Sequence, residues 1–226
     1  MKRLFSAFVL CASLSFALPV LAASVAPEGS TLTPAQAKQL LVEGNMRFVG
    51  NKQIANDLSQ ARRTNLFKNG QHPFATILSC ADSRTAPEQL FDRGLGELFV
   101  LRVAGNVLVP TITGSIEFSQ TFQVPLIVVM GHNACGAVEA TIGGGKVSDN
   151  IAAIAHEITP AVQETQKSHP DLTGGKLQEA ATKKNVELMV AKLKKNPELK
   201  ARLEAGKLEV VGAMYDLESG QVTFLK

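Results

Sequence analysis

The sequence predicts an α/β fold: a mainly parallel central β-sheet flanked by helices, with a C-terminal antiparallel strand. Three observations carry that expectation. Short apolar, β-branched runs recur along the chain, stretches of helical patterning separate them, and a polar turn near the C-terminus feeds the last run.

The elements follow in order. Residues 24–31 form a short lead-in. Thr33-Pro34 has the form of an N-cap with proline at the first helical position. Residues 35–48 then read as an amphipathic helix whose apolar face holds Ala37, Leu40, Leu41 and Met46. Residues 74–79 are a buried strand leading into Cys80. Residues 97–102, 125–130 and 208–214 are three more strands, the third of the four being the most β-branched. Helical patterning falls near residues 86–91, 114–122, 135–142, 150–166 and 177–194. Tyr215 to Gly220 is a turn into a last antiparallel strand, residues 221–225. No internal repeat or low-complexity segment interrupts this order.

The N-terminus has a different character. Lys2 and Arg3 precede an apolar run over residues 4–20, and Val20-Leu21-Ala22-Ala23 ends it with small residues. This is the layout of a secretory signal peptide, expected over residues 1–22, with a single domain over 23–226. The run is about as long as the shortest membrane-spanning helix. Ser13 and Ser15 interrupt it, so cleavage, and no stable membrane anchor afterwards, is the expectation. Export places the mature protein in the periplasm if its source has two membranes.

Cleavage removes Lys2 and Arg3, so the formal net charge falls from +3 to +1. No dense Lys/Arg cluster is interleaved with aromatics, which excludes nucleic acid as an expected partner. Cleavage also removes Cys11 and leaves Cys80 and Cys135 as the only thiols. An exported protein with two cysteines can hold them as one disulfide.

A metal site is the competing use of those cysteines. In open parallel sheets ligands bind beyond the carboxyl ends of the strands. Cys80 follows the first strand, Gly131-His132 the third, and Cys135 opens the next helix. Thiolate and imidazole are the usual zinc ligands, and three protein ligands leave the fourth position that a catalytic zinc needs. Asp82 lies two residues beyond Cys80, and Arg84 two beyond that. A carboxylate beside an arginine stays ionised. Asp82 then has two uses: to accept a hydrogen bond from zinc-bound hydroxide with Arg84 orienting it, or to coordinate zinc and close the fourth position.

Cys80-Ala-Asp-Ser-Arg84 and Gly131-His-Asn-Ala-Cys-Gly136 resemble the two signature motifs of β-class carbonic anhydrases. The likeness extends over most of the mature chain, through Gly44-Asn-Met-Arg-Phe48, Gly96–Val100, Arg102-Val-Ala-Gly-Asn106, Gly114–Phe118 and Gly212–Leu217. The resemblance implies one Zn2+ per subunit on Cys80, His132 and Cys135, with Asp82 as a ligand only in a closed state. It implies Asp82 and Arg84 as the catalytic dyad for reversible hydration of carbon dioxide to bicarbonate. It places Phe99, Ala104 and Phe118 around a small apolar substrate pocket, Gln71 where a glutamine reaches bicarbonate from the neighbouring subunit, and the Gly136 N–H near the same site. Ala104 and Phe118 depart from the commonest plant-type residues. The resemblance also implies a homo-oligomer, dimer or tetramer, with the N-terminal helix near residues 36–48 packed on the partner. The chain has no Trp and a single Tyr, Tyr215, which argues against the non-catalytic bicarbonate pocket found in one branch of the family.

His72, His156 and His169 are the candidates for passing the released proton to buffer. Three other readings remain: hydrolysis of carbon disulfide or carbonyl sulfide at the same centre, a non-catalytic exported zinc protein, and the disulfide.

Overall fold

The structure, a computed structural model, describes residues 31–226. The leader expected over residues 1–22 lies outside the described residues. Five strands form one sheet in the order β2-β1-β3-β4-β5: β1 (Ala75–Ser79), β2 (Leu98–Arg102), β3 (Leu126–His132), β4 (Glu209–Tyr215) and β5 (Val222–Phe224). β2, β1, β3 and β4 are parallel, and β5 closes the edge antiparallel to β4. The expected α/β architecture is therefore observed.

Every residue of β1 and β3 is buried, as both-face covering of a parallel sheet requires. The period of two assigns the faces. Leu126, Val128 and Met130 of β3 join Ala37, Leu41, Phe74 and Phe91 on one side. Ile127 and Val129 join Ile116, Val186, Met189 and Leu193 on the other. On the first face Ala37 and Leu41 come from α1 (Pro34–Val49), Phe91 caps α3 (Pro87–Leu90) and Phe74 precedes β1; on the second the residues come from α4 (Pro110–Ser119) and α7 (Gly174–Lys194). Beyond the carboxyl edge lie α5 (Gly136–Gly143) and α6 (Asp149–Ser168).

α1 begins as its sequence predicts. Thr33 and Gln36 form a reciprocal capping box ahead of Pro34, satisfying two otherwise orphan N–H groups. Its docking explains the Gly44-Asn-Met-Arg-Phe48 motif. A Cβ at Gly44 would lie 1.8 Å from the Phe91 carbonyl oxygen, so only glycine admits the helix. Asn45 donates to the carbonyls of Leu90 and Gly220 and accepts from Val222 N–H, tying helix to the β4–β5 hairpin. Arg47 pairs with buried Asp92 at 2.5 Å. Of the expected apolar face, Ala37 and Leu41 are buried in the chain's own core and Leu40 partly so, whereas Met46 turns away from it. What α1 offers outward is Met46 and Val49, which are exposed.

Two helices lie outside the predicted set. α2 (Gln60–Asn69) buries no residue and so carries no apolar stripe to read. Its signal is the Ser59 N-cap, whose side chain accepts from Arg62 N–H. α8 (Pro197–Glu204) starts on Asn196-Pro197, the same cap-then-proline form as Thr33-Pro34. Among the described residues no helix is long and apolar enough to cross a membrane.

Candidate metal centre

β1 and β3 are adjacent and parallel, with Ser79 level with Met130, so both deliver their ends to one edge. Cys80 is the first residue beyond β1, His132 the last of β3, and Cys135 the N-cap of α5. Between the last two, Ala134 takes a left-handed φ of 49°, which folds the chain back so that both side chains point the same way. The two Sγ atoms and a His132 ring nitrogen all lie within 4.8 Å of one another, and all three residues are buried. Tetrahedral zinc with bonds of ~2.0–2.3 Å holds its ligand atoms roughly 3.3–3.8 Å apart, so a set this tight suits one ion. Among the described cysteines both are free thiols, not a disulfide.

The histidine is prepared for the same role. Its Nδ1 lies 2.8 Å from the Asn133 carbonyl, which fixes the proton there and leaves the Nε2 lone pair for a metal. Nε2 is buried without a hydrogen-bond partner, an arrangement that a bound cation would relieve. Asn133 is held in turn: it donates to Asp216 at 2.6 Å and accepts from Leu217 N–H at 2.9 Å.

The two thiols are shifted in opposite directions. The Cys135 thiol beside it, then His132 and the N–H groups of Asp82 and Gly105, hold Cys80 well below the usual thiol range against the effect of burial. Cys135 is pushed up correspondingly by Cys80 and by burial. Burial opposes protonation of His132, and the adjoining Cys80 outweighs it, raising the imidazole overall.

Asp82 sits at the rim of this cluster, its Oδ2 3.9 Å from His132 Nε2. Arg84 grips it three times, by its own N–H at 2.9 Å, by Nε at 2.9 Å and by Nη2 at 2.7 Å. Those bonds hold the Asp82 carboxyl far below the usual carboxylate range. Arg84 also reaches the Ala134 carbonyl at 3.4 Å, linking the two ligand-bearing turns. Arg102 at the end of β2 donates to the carbonyls of Cys80 at 3.1 Å and Asp82 at 2.5 Å. Thr85 caps the same two carbonyls. Arg102 and Thr85 are brace residues that sequence reasoning did not single out, although Arg102 opens one of the motifs quoted above.

The expected pocket residues separate into two groups. Ala104 and Gly136 line a cavity of about 630 Å³ between α5 and α6, with Ala137, Ala155 and His156 among its walls. It adjoins the ligand cluster, since Gly136 follows Cys135 and Ala104 precedes Gly105, whose N–H lies 3.4 Å from Cys80 Sγ. Phe99 and Phe118 lie elsewhere. Phe99 is level with Thr76, towards the far end of the sheet from Cys80. It packs with Phe118 and Phe122, ring centroids 5.6–6.4 Å apart, and Phe118 is 57% exposed. Gln71 is exposed in the connection from α2 to β1, at the amino edge of a strand whose carboxyl edge carries the metal ligands. His72, His156 and His169 are all exposed, and of the three His156 lines the cavity.

Comparison with known proteins agrees with this geometry. A family model described as carbonic anhydrase matches residues 75–222. A carbonic anhydrase of Mycolicibacterium smegmatis is 37% identical over 195 residues, covering 84% of this chain and 92% of its own length. Carbonic anhydrase 2 of Mycobacterium tuberculosis is 36% identical over 204 residues, covering 83% and 91%. Among solved structures, the β-carbonic anhydrase CcaA superposes with a TM-score of 0.69 at 25% identity, covering 84% of this chain and 95% of that one.

Proposed function

From the premise that the chain belongs to the β class of carbonic anhydrases, we propose that it hydrates carbon dioxide reversibly on one zinc ion per subunit, held by Cys80, His132 and Cys135. The observation that carries this reading is the convergence of those three ligand atoms beside the Asp82–Arg84 pair. When bound, zinc supplies a Lewis acid that acidifies a water in the position its three protein ligands leave open.

The protein's own groups do the rest. Asp82 is ionised and fixed by Arg84, and its oxygens keep lone pairs that accept a hydrogen bond and orient the attacking oxygen. The paired geometry favours the open state, because coordination by Asp82 would require it to give up its bonds to Arg84. Ala104 and Gly136 present an apolar wall and a backbone N–H to substrate. His156, on the cavity wall, is the proposed acceptor that passes the proton to buffer. The test is stopped-flow hydration of carbon dioxide by zinc-loaded protein, with carbon disulfide and carbonyl sulfide assayed alongside. Turnover of either sulfur compound without carbon dioxide hydration would overturn the assignment.

The divided pocket supports assembly from two subunits. Gln71, Phe99 and Phe118 lie away from their own metal centre, so they complete a neighbour's in a homo-oligomer. Besides α1, with its exposed Met46 and Val49, α2 offers a surface for that contact: it buries nothing within its own chain, and its Phe67 is 89% exposed. An interface with Phe67 at its heart does not tolerate a charge. Phe67→Glu is expected to convert the oligomer to monomer in light scattering and to lower hydration at least about tenfold. An unchanged mass would remove α2 from the interface.

Export, with the periplasm as destination, belongs to the same proposal and rests on residues 1–23. Zinc loading there must compete with oxidation of two neighbouring thiols. Thiol counting beside metal analysis on secreted protein distinguishes the two fates.

A further inference from the structure

One face of α7 touches the Cys135 and His132 segments and the Gly105 turn that faces the Cys80 sulfur. Gln178 donates from Nε2 to the Cys135 carbonyl at 2.9 Å. One turn on, Thr182 abuts Gly131, the residue before His132, and Val186 does the same. A Cβ on Gly131 would meet Val186 Cγ2 at 2.7 Å and Thr182 Cγ2 at 3.1 Å. Between them in the sequence, Asn185 donates from Nδ2 to the Gly105 carbonyl at 2.8 Å. Gly105 N–H in turn lies 3.4 Å from Cys80 Sγ. Positions 178, 182, 185 and 186 follow the helical period and so share one face.

The polar residues on that face are costly unless they have a use. Asn185 is completely buried, and its Oδ1 has no hydrogen-bond partner. Packing alone would be met by leucine, without a stranded oxygen. The amide is kept for its donor, and that donor holds the turn whose N–H faces the Cys80 sulfur.

We infer that α7 sets the spacing of the metal ligands, with Gln178 and Asn185 as positioning residues that register the Cys135 segment, and the Gly105 turn whose N–H faces the Cys80 sulfur, against His132. Neither touches the ion. Gln178 fixes the carbonyl of a ligand, Cys135, and Asn185 fixes that of Gly105, the turn beside the Cys80 sulfur. This inference rests on the zinc reading above.

The test is zinc affinity by chelator competition on full-length protein, with circular dichroism to confirm folding. Asn185→Leu and Gln178→Glu each remove one donor. Each is expected to weaken zinc binding about 10- to 100-fold, the usual effect of losing such a supporting bond, and to shift the thiolate-to-metal absorption of the cobalt-substituted protein. Lys183→Ala, on the exposed side of the same helix, serves as the control and is expected to change neither. Gln178 is only partly buried, so its variant keeps the test available if Asn185→Leu does not fold. Folded variants that bind zinc within about twofold of wild type, with an unshifted cobalt spectrum, would overturn the inference while leaving the zinc reading intact. Wild-type protein that binds no zinc would overturn both.

Discussion

Cys80→Ser is expected to abolish carbon dioxide hydration and to strip the protein of zinc. Serine keeps the size of the side chain, but its hydroxyl does not ionise in the physiological range and is a poor partner for zinc. The loss is compounded by what surrounds the sulfur. Asp82 N–H and Gly105 N–H both point at it from 3.4 Å, an environment suited to a thiolate. A site worth about 10 kcal/mol or more, deprived of one of three protein ligands, should lose roughly 3 kcal/mol, or about 100-fold in affinity. Metal analysis after dialysis against a mild chelator, followed by stopped-flow assay, reads both effects. A variant that keeps its zinc and full activity would remove Cys80 from the centre.

Asp82→Asn is expected to keep the metal and lose the chemistry. The amide has nearly the shape of the carboxylate but carries no charge for Arg84 to hold, and it turns a donor towards a group that wants an acceptor. A positioned group of this kind contributes about 100- to 1000-fold to turnover. The expected result is therefore a fall of that size in kcat with unchanged zinc content. Undiminished kcat would leave Arg84 and Asp82 as a surface pair. The pH dependence has a definite sign. Arg84 holds the Asp82 carboxyl below its ordinary value, so in the wild type it stays ionised well into acid. The pair is complete above the ordinary carboxylate range and is lost only as pH falls through the lowered value. Arg84→Ala lets the carboxyl rise towards about 3.9, so an acid limb set by Asp82 moves upward in that variant.

Much of the centre was legible because its signals are local. Cys80, Asp82 and Arg84 fall within five residues, and His132 and Cys135 within four. Each group follows an apolar run whose strand character is written in its β-branched residues. The sheet order could be expected only in class, since pairing joins residues far apart in the chain. What escaped were groups whose role depends on the third dimension. Gln178 and Asn185 look like ordinary polar positions on a helix, and only packing brings their amides to Cys135 and Gly105. α2 escaped for the opposite reason: a helix that buries nothing leaves no apolar periodicity. The pocket residues were named together by the resemblance, which did not give their places in the fold. Ala104 and Gly136 adjoin their own metal cluster, whereas Phe99 and Phe118 lie towards the other end of the sheet, a division set by strand pairing that no local stretch of sequence carries.

The central claim is a catalytic zinc held by two thiolates and one imidazole, with its fourth position open to solvent. X-ray absorption at the zinc edge of the purified wild-type protein near neutral pH tests it most directly. The expected spectrum shows two sulfur scatterers at about 2.3 Å, one imidazole nitrogen at about 2.0–2.1 Å and one further light atom. That light atom is replaced when a small anion is added. Absence of zinc, a single sulfur scatterer, or a fourth ligand that no anion displaces would contradict the account.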